Sequence, residues 1–182
     1  MDGEEQKLNT AAGGRSYSAE ELELLEIYSH TFIGSYAHTL DGKGRLVVPQ
    51  AFRDDLGKTF YICPSLDFRS ISLYTNLEWA KMRRHYGELG AINAKFQKFL
   101  ELFDALSYRD QECDAQGRVL LPTKIRQLIL KEEKEVEISG ASDHIRVVAA
   151  TTSEELAREV LDNRDSFTAL FSELSEMLRN GK

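Results

Sequence analysis

The chain has 182 residues, 42% of them hydrophobic and 29% charged, an ordinary soluble globular balance. No apolar run approaches the roughly 20 residues that span a bilayer, the opening MDGEEQKLNT is acidic and polar and so is not a secretory signal, and two cysteines, Cys63 and Cys113, do not make a disulfide framework; the expected compartment is the cytosol. The net charge of −7 sits at the ends: residues 1–30 carry −5 and residues 151–182 carry −3, which leaves +1 for residues 31–150, so the charge excludes no nucleic-acid partner for the middle of the chain.

Residues 2–18 are polar and glycine-containing, which predicts disorder. Ser18-Ala19-Glu20-Glu21 is a capping-box pattern, and Leu22, Leu24, Leu25 and Ile27 behind it predict a short helix. TFIGSYAH (31–38) predicts a strand, Asp41-Gly42-Lys43-Gly44 a tight turn and Arg45–Val48 a second short strand. Pro49 pre-sets φ for a short helix that Gly57 closes. TFYIC (59–63) and SISLY (70–74) predict a strand pair. Residues 76–106 read as helical, divided at Gly87 and Gly90, with Phe96, Phe99, Leu100, Phe103 and Leu106 in one amphipathic stripe for core or oligomer packing. The same order of elements then recurs over 107–113, 118–121, 122–131, 134–139 and 144–150. Thr152 or Ser153 can cap a following helix, and Leu170, Phe171, Leu174 and Leu178 predict another amphipathic segment, peripheral or partner-facing.

The recurrence is a repeat. DGKGRLVVPQAFRDDL (41–56) aligns with DAQGRVLLPTKIRQLI (114–129) at an offset of 73 residues. Asp41 meets Asp114, Gly44 meets Gly117, Arg45 meets Arg118, Pro49 meets Pro122 and Arg53 meets Arg126, with an apolar triplet between arginine and proline in both copies. Two copies of one supersecondary unit are therefore expected to share one core.

FIGSYAHTLDGKGRLVVPQAFRDDLG, LYTNLEW and CDAQGRVLLP together resemble the MraZ family of bacterial regulators, within the wider SpoVT/AbrB swapped-hairpin group, over roughly residues 31–165. The resemblance implies an α+β fold: a tandem pseudo-twofold swapped-hairpin (AbrB-like) β-barrel with flanking helices. It implies a ring-like homo-oligomer that binds short direct repeats in promoter DNA upstream of its own operon, the division and cell-wall gene cluster. It also implies a cytoplasmic, nucleoid-associated regulator, most simply a repressor, with no cofactor, no membrane partner and no small-molecule substrate. The chain is expected to divide into an acidic extension, partly disordered (1–30), a first repeat with linker helices (31–106), a second repeat (107–165) and a helical tail (166–182).

Carried onto this sequence, the resemblance places Lys43 and Arg45 of the first D-x-x-x-R turn, and Gln116 and Arg118 of the second, against DNA. Asp41, Gly44, Asp114 and Gly117 support the loops. Arginine's planar fork fits guanine O6/N7 or a phosphate, aspartate can accept turn amides, and glycine keeps the turn narrow. Gln116 in place of Lys43 makes the second turn the weaker phosphate binder, although glutamine can still pair with adenine. Arg53 and Arg126 on the short helices suit packing, an ion pair or a phosphate equally well.

The basic run Lys81–His85 reads as a solvated helix face, and Cys63 and Cys113 as buried strand residues. No histidine, cysteine or acid set has metal-ligand spacing, and no nucleophile–base pair or phosphate loop suggests an enzyme. The alternative is an oligomeric protein-interaction module on the same barrel, without DNA binding.

Overall fold

The computed structural model describes residues 17–29 and 31–180, so the disorder expected for residues 2–18 falls, but for the last two, outside the described residues. In chain order the elements are α1 (Ala19–Ser29), β1 (Ser35–Thr39), β2 (Arg45–Val47), α2 (Gln50–Leu56), β3 (Phe60–Pro64), β4 (Ile71–Thr75), α3 (Asn76–Ile92) and α4 (Ala94–Ala105). There follow β5 (Tyr108–Gln111), β6 (Arg118–Leu120), α5 (Thr123–Ile129), β7 (Glu135–Gly140), β8 (His144–Ala149), α6 (Ala150–Asp162) and α7 (Arg164–Asn180). The class is α+β with antiparallel strands, as expected.

The strand order treats the two copies alike, and each copy's first strand pairs into the other. The large sheet has the order β1-β7-β8-β4-β3-β5. Exchanging the halves, so that β1, β3 and β4 become β5, β7 and β8, gives the same order read backwards. Each half keeps its own hairpin, β3–β4 or β7–β8. Its first strand leaves, however: β1 pairs with β7, and β5 pairs with β3. At the centre β4 lies against β8, with Ile71 opposite Val147 and Leu73 opposite Ile145. The strands β2 and β6 form a separate ribbon. The hydrogen-bonded strands thus make an open sheet with edges β1 and β5, plus a ribbon, and not one closed barrel.

One irregularity breaks the symmetry. The β3–β5 register shifts between Phe60 and Ile62, and Asp110 in β5 takes φ of +56°. One extra residue there makes a bulge; β1 against β7 has no such shift.

Both halves fill one core. Leu46, Phe52, Phe60, Ile62, Ile71 and Leu73 from the first half pack with Val119, Leu121, Ile125, Ile138, Ile145 and Val147 from the second. A second cluster builds on the phenylalanine stripe: Phe103 with Cys63 and Tyr74, flanked by Tyr61, Trp79, Met82, Tyr86 and Phe99. Trp79 stacks on Tyr61 at 4.4 Å.

Three local expectations are corrected. The helical stretch breaks at Asn93, not at Gly87 or Gly90, because the Asn93 side chain accepts from the amides of Lys95 and Phe96 and starts a new helix. Gly90 is buried inside α3, where an added Cβ would lie 2.9 Å from Leu100 Cδ1; it is a close-approach glycine between α3 and α4. Neither Thr152 nor Ser153 caps α6, which starts at Ala150 without a side-chain cap; the Ser153 hydroxyl donates to Glu137 instead. Cys63 is buried in β3, but Cys113 lies past the end of β5 and is only half-buried.

Candidate nucleic-acid interface

The two D-x-x-x-R turns repeat the same backbone hydrogen bonds. The Asp41 carboxylate accepts from the amides of Lys43 (2.8 Å) and Arg45 (2.9 Å), and Asp114 accepts from those of Gln116 and Arg118 (both 2.9 Å). Each aspartate amide donates in turn to the arginine carbonyl four residues on, at 3.0 and 2.8 Å. Gly44 and Gly117 sit at φ of +79° and +75°, the left-handed region that an L side chain resists. The aspartates are therefore loop supports in geometry: they saturate the turn's amides.

The ribbon sets the spacing of the two turns. Leu46 of β2 lies opposite Val119 of β6, at the centre of the ribbon, with Arg45 opposite Leu120 and Val47 opposite Arg118. Strand alternation puts Leu46 and Val119 into the core, at 0% and 2% exposure, and Arg45, Val47, Arg118 and Leu120 on the other face. Each ribbon end is locked to the opposite turn: Val48 donates to the Gly117 carbonyl and Leu121 to that of Gly44. The result is one surface with an arginine near each end and an exposed apolar side chain across from each. Val47 and Leu120 were not among the expected site residues; the period-two alternation of RLV and RVL is the signal that marks them.

The short-helix arginines take a place that the sequence does not reveal. Arg126 runs beneath Gly44, and Arg53 beneath Gly117, so each half's helix props the other half's turn. A Cβ on Gly44 would lie 2.6 Å from Arg126 Nε, and one on Gly117 2.7 Å from Arg53 Cζ. Both Nε atoms are buried without a hydrogen-bond partner, and Arg53 also donates to Gln50. Of packing, an ion pair and a phosphate contact, packing is the role the geometry displays.

The two ion pairs differ. Arg118 donates from Nε (2.9 Å) and NH2 (2.8 Å) to the same Asp114 oxygen. Arg45 stands 3.7 Å from Asp41. This side-chain bond from Arg118, with the backbone amides behind it, pulls the Asp114 carboxyl from the ordinary 3.8 down to about 2. Asp41 is lowered chiefly by the Arg45 amide, then by the Lys43 amide and the guanidinium charges of Arg45 and Arg118. The influence of Arg118 on Asp41 crosses the halves. Lys43 and Gln116 are exposed at the turn tips.

The remaining candidates lie elsewhere. In the basic run on α3, Lys81 pairs with Glu78 and Arg83 with Asp104. His38 is half-buried in β1, His144 stacks on Tyr74 at 4.6 Å, and His30 falls outside the described residues. Among the described residues no group of three or more histidine, cysteine or acidic side chains is placed to hold a metal ion, and no helix is long and apolar enough to cross a membrane.

The chain is similar to known proteins over most of its length. A family model described as "MraZ protein, putative antitoxin-like" matches residues 31–102, the first half including its turn. The Transcriptional regulator MraZ of Moorella thermoacetica is 34% identical over 135 residues, 74% of this chain and 92% of that protein. The protein of the same name from Lactiplantibacillus plantarum is 34% identical over 134 residues, 74% of this chain and 93% of that one. That of Carboxydothermus hydrogenoformans is 35% identical over 116 residues, 64% of this chain and 79% of that one.

Proposed function

The chain belongs to the MraZ family, and from that premise we propose that it is a DNA-binding transcriptional regulator whose two D-x-x-x-R turns meet DNA together. The observation that carries this reading is the pair of turns. Two buttressed arginines, Arg45 and Arg118, stand on one exposed ribbon face with no core residue between them and solvent. In this reading Arg45 and Arg118 read base edges or hold phosphates, Lys43 contacts a phosphate, and Gln116 pairs with a base. Asp41, Gly44, Asp114 and Gly117 hold the loops, and Arg53 and Arg126 brace them from below.

The finer assignments follow from the same membership. The exchange of β1 and β5 between halves supports a swapped-hairpin relation to AbrB-like barrels, with the ribbon as lid of the open sheet. A ring-like homo-oligomer would repeat the turns around its rim. Short direct repeats upstream of its own operon, the division and cell-wall cluster, are then a fitting target, because many weak contacts add up only when their spacing matches. Repression from a cytosolic, nucleoid-associated position is the simplest consequence, and no catalytic step enters it.

A gel-shift titration tests the reading, with the chain's own upstream region as probe against a scrambled probe of equal length, at several salt concentrations. Specific binding that weakens steadily as salt rises is the expected result. No shift of the specific probe at low salt would sink the proposal and leave the protein-interaction module.

A further inference from the structure

One cleft lies outside everything the DNA-binding reading uses. It encloses about 730 Å³ between the strands β7 and β8 and the junction of α6 with α7, inside the roughly 300–1,000 Å³ of small-molecule sites. Strand alternation fixes its floor. Val136, Ile138, Ile145 and Val147 point into the core that holds Leu46 and Val119 of the ribbon. Glu137 and Arg146, between them in sequence, therefore face the other way, into the cleft. The facing wall is apolar: Leu156, Ala157, Val160, Leu161 and Phe167. Of these, Val160, Leu161 and Phe167 are left 54%, 65% and 50% exposed.

Two charges in the cleft stand without an opposite charge. Arg69 is matched by Glu159 at 3.3 Å and Glu155 at 3.8 Å. Asp67 accepts from the Ser65 hydroxyl and the Arg69 amide. Arg146, by contrast, donates only from Nε, to the Ser139 hydroxyl at 3.3 Å, which leaves its two terminal nitrogens for a ligand. Glu137 accepts only from the Ser153 hydroxyl, at 2.8 Å. Among the described residues neither makes an ion pair. Ser139 lies opposite Arg146, and Glu137 opposite Val148. Glu137 and Arg146 are thus diagonal neighbours on one sheet face, their backbones about 7–8 Å apart. A cation and an anion side by side, each partly desolvated and unmatched, select a ligand that carries both complementary charges. With a hydrogen bond of about 2.9 Å at each end, an α-amino acid bridges a gap of this order. A plain carboxylate would leave Glu137 unmatched, and a plain amine would leave Arg146 so.

We propose that this cleft binds a free α-amino acid with an aliphatic or aromatic side chain, its carboxylate on Arg146, its ammonium on Glu137 and its side chain against Leu156, Val160 and Phe167. Isothermal titration calorimetry of the full chain tests it, with leucine and phenylalanine as probes. N-acetylleucine, which lacks the ammonium, and leucinamide, which lacks the carboxylate, are the comparisons. Saturable binding of at least one amino acid is expected, with both leucine derivatives weaker by at least about tenfold, the loss that follows one charge-assisted hydrogen bond. Arg146→Met should weaken leucine by a similar factor and leave leucinamide as in the parent. Glu137→Gln should weaken leucine and leave N-acetylleucine unchanged. No saturable heat from either amino acid at millimolar concentration overturns the proposal. So does N-acetylleucine binding as well as leucine, since the cleft would then take any apolar carboxylate, and so does full leucine binding by both variants. The comparison of ligands on the parent chain decides the matter even where a variant fails to fold. The gel shift reads the turns, so failure of the DNA-binding reading shows there and leaves this titration standing.

Discussion

At the level of single residues, Asp41 and Asp114 do one job and Arg45 and Arg118 another. The carboxylates are consumed by turn amides, so in the proposed DNA-binding reading their contribution is the shape of the loop. The guanidiniums keep donors to spare. Arg45→Ala and Arg118→Ala are each expected to weaken specific DNA binding by about 1–3 kcal/mol per engaged turn; the thermal melt stays within about 0.5 kcal/mol of the parent for Arg45→Ala and falls for Arg118→Ala, which loses its bonds to Asp114. Fluorescence anisotropy with a specific duplex, beside a melt, checks both halves of that statement. Lys43→Ala should instead weaken all sequences alike and flatten the salt dependence, by a slope of about 1 for each phosphate the lysine no longer neutralises. Acid bears on the same pair. The folded Asp114 carboxyl sits at about 2 against an ordinary 3.8. Its support of the fold is therefore complete above the ordinary value and is lost as pH falls toward the folded one. Asp114→Asn should remove that part of the acid-induced loss, seen as a shallower fall of the melting temperature over this window. The D-x-x-x-R spacing made these four residues legible, because a local turn depends on neighbours in sequence. Arg53 and Arg126 were not legible in role: their identity at the same offset was plain, but the turn each one braces belongs to the other half.

At the level of elements, most strands and short helices follow from local chemistry. Pro49 and Pro122 start helices of equal length, seven residues, at φ of −53° and −56°. The break in the linker helices did not follow, since two glycines in a helical stretch look like a hinge. Gly90 stays helical where α3 and α4 approach closely, Gly87 stays inside α3 with open space around it, and the side-chain cap at Asn93 sets the true boundary. Asn93→Ala should cost about 0.5–2 kcal/mol through removal of the cap; a melt of the full chain measures it. No change would mean that tertiary packing alone sets the break. Gly117→Ala should cost more than a loop glycine ordinarily would. The new methyl meets both a positive φ and the Arg53 guanidinium beneath it. The damage should reach DNA binding as well as stability, since the turn would have to shift.

At the level of the whole molecule, the repeat announced two units but not how they share strands. Strand pairing between halves is a tertiary choice: TFIGSYAH and SYRDQ carry alternation that says strand and nothing that says whose sheet. The exchange has a physical cost that can be tested. Cut between residues 106 and 107, each piece keeps only its own hairpin, β3–β4 or β7–β8. It loses the pairings β1–β7, β3–β5, β4–β8 and β2–β6, all of which cross the cut. A lone hairpin is marginal in water, and buried side chains such as Leu46 and Val119 would face solvent in the separate pieces. The pieces 31–106 and 107–180 should therefore each give collapsed or unfolded amide spectra alone, and a dispersed native spectrum on equimolar mixing. Leu46→Ala in the first piece should weaken that reassociation by about 2–5 kcal/mol, the range for truncating a fully buried leucine. A native, dispersed spectrum from 31–106 alone would mean that the halves fold as separate domains. It would remove the physical basis for treating the two turns as one rigid DNA-facing surface.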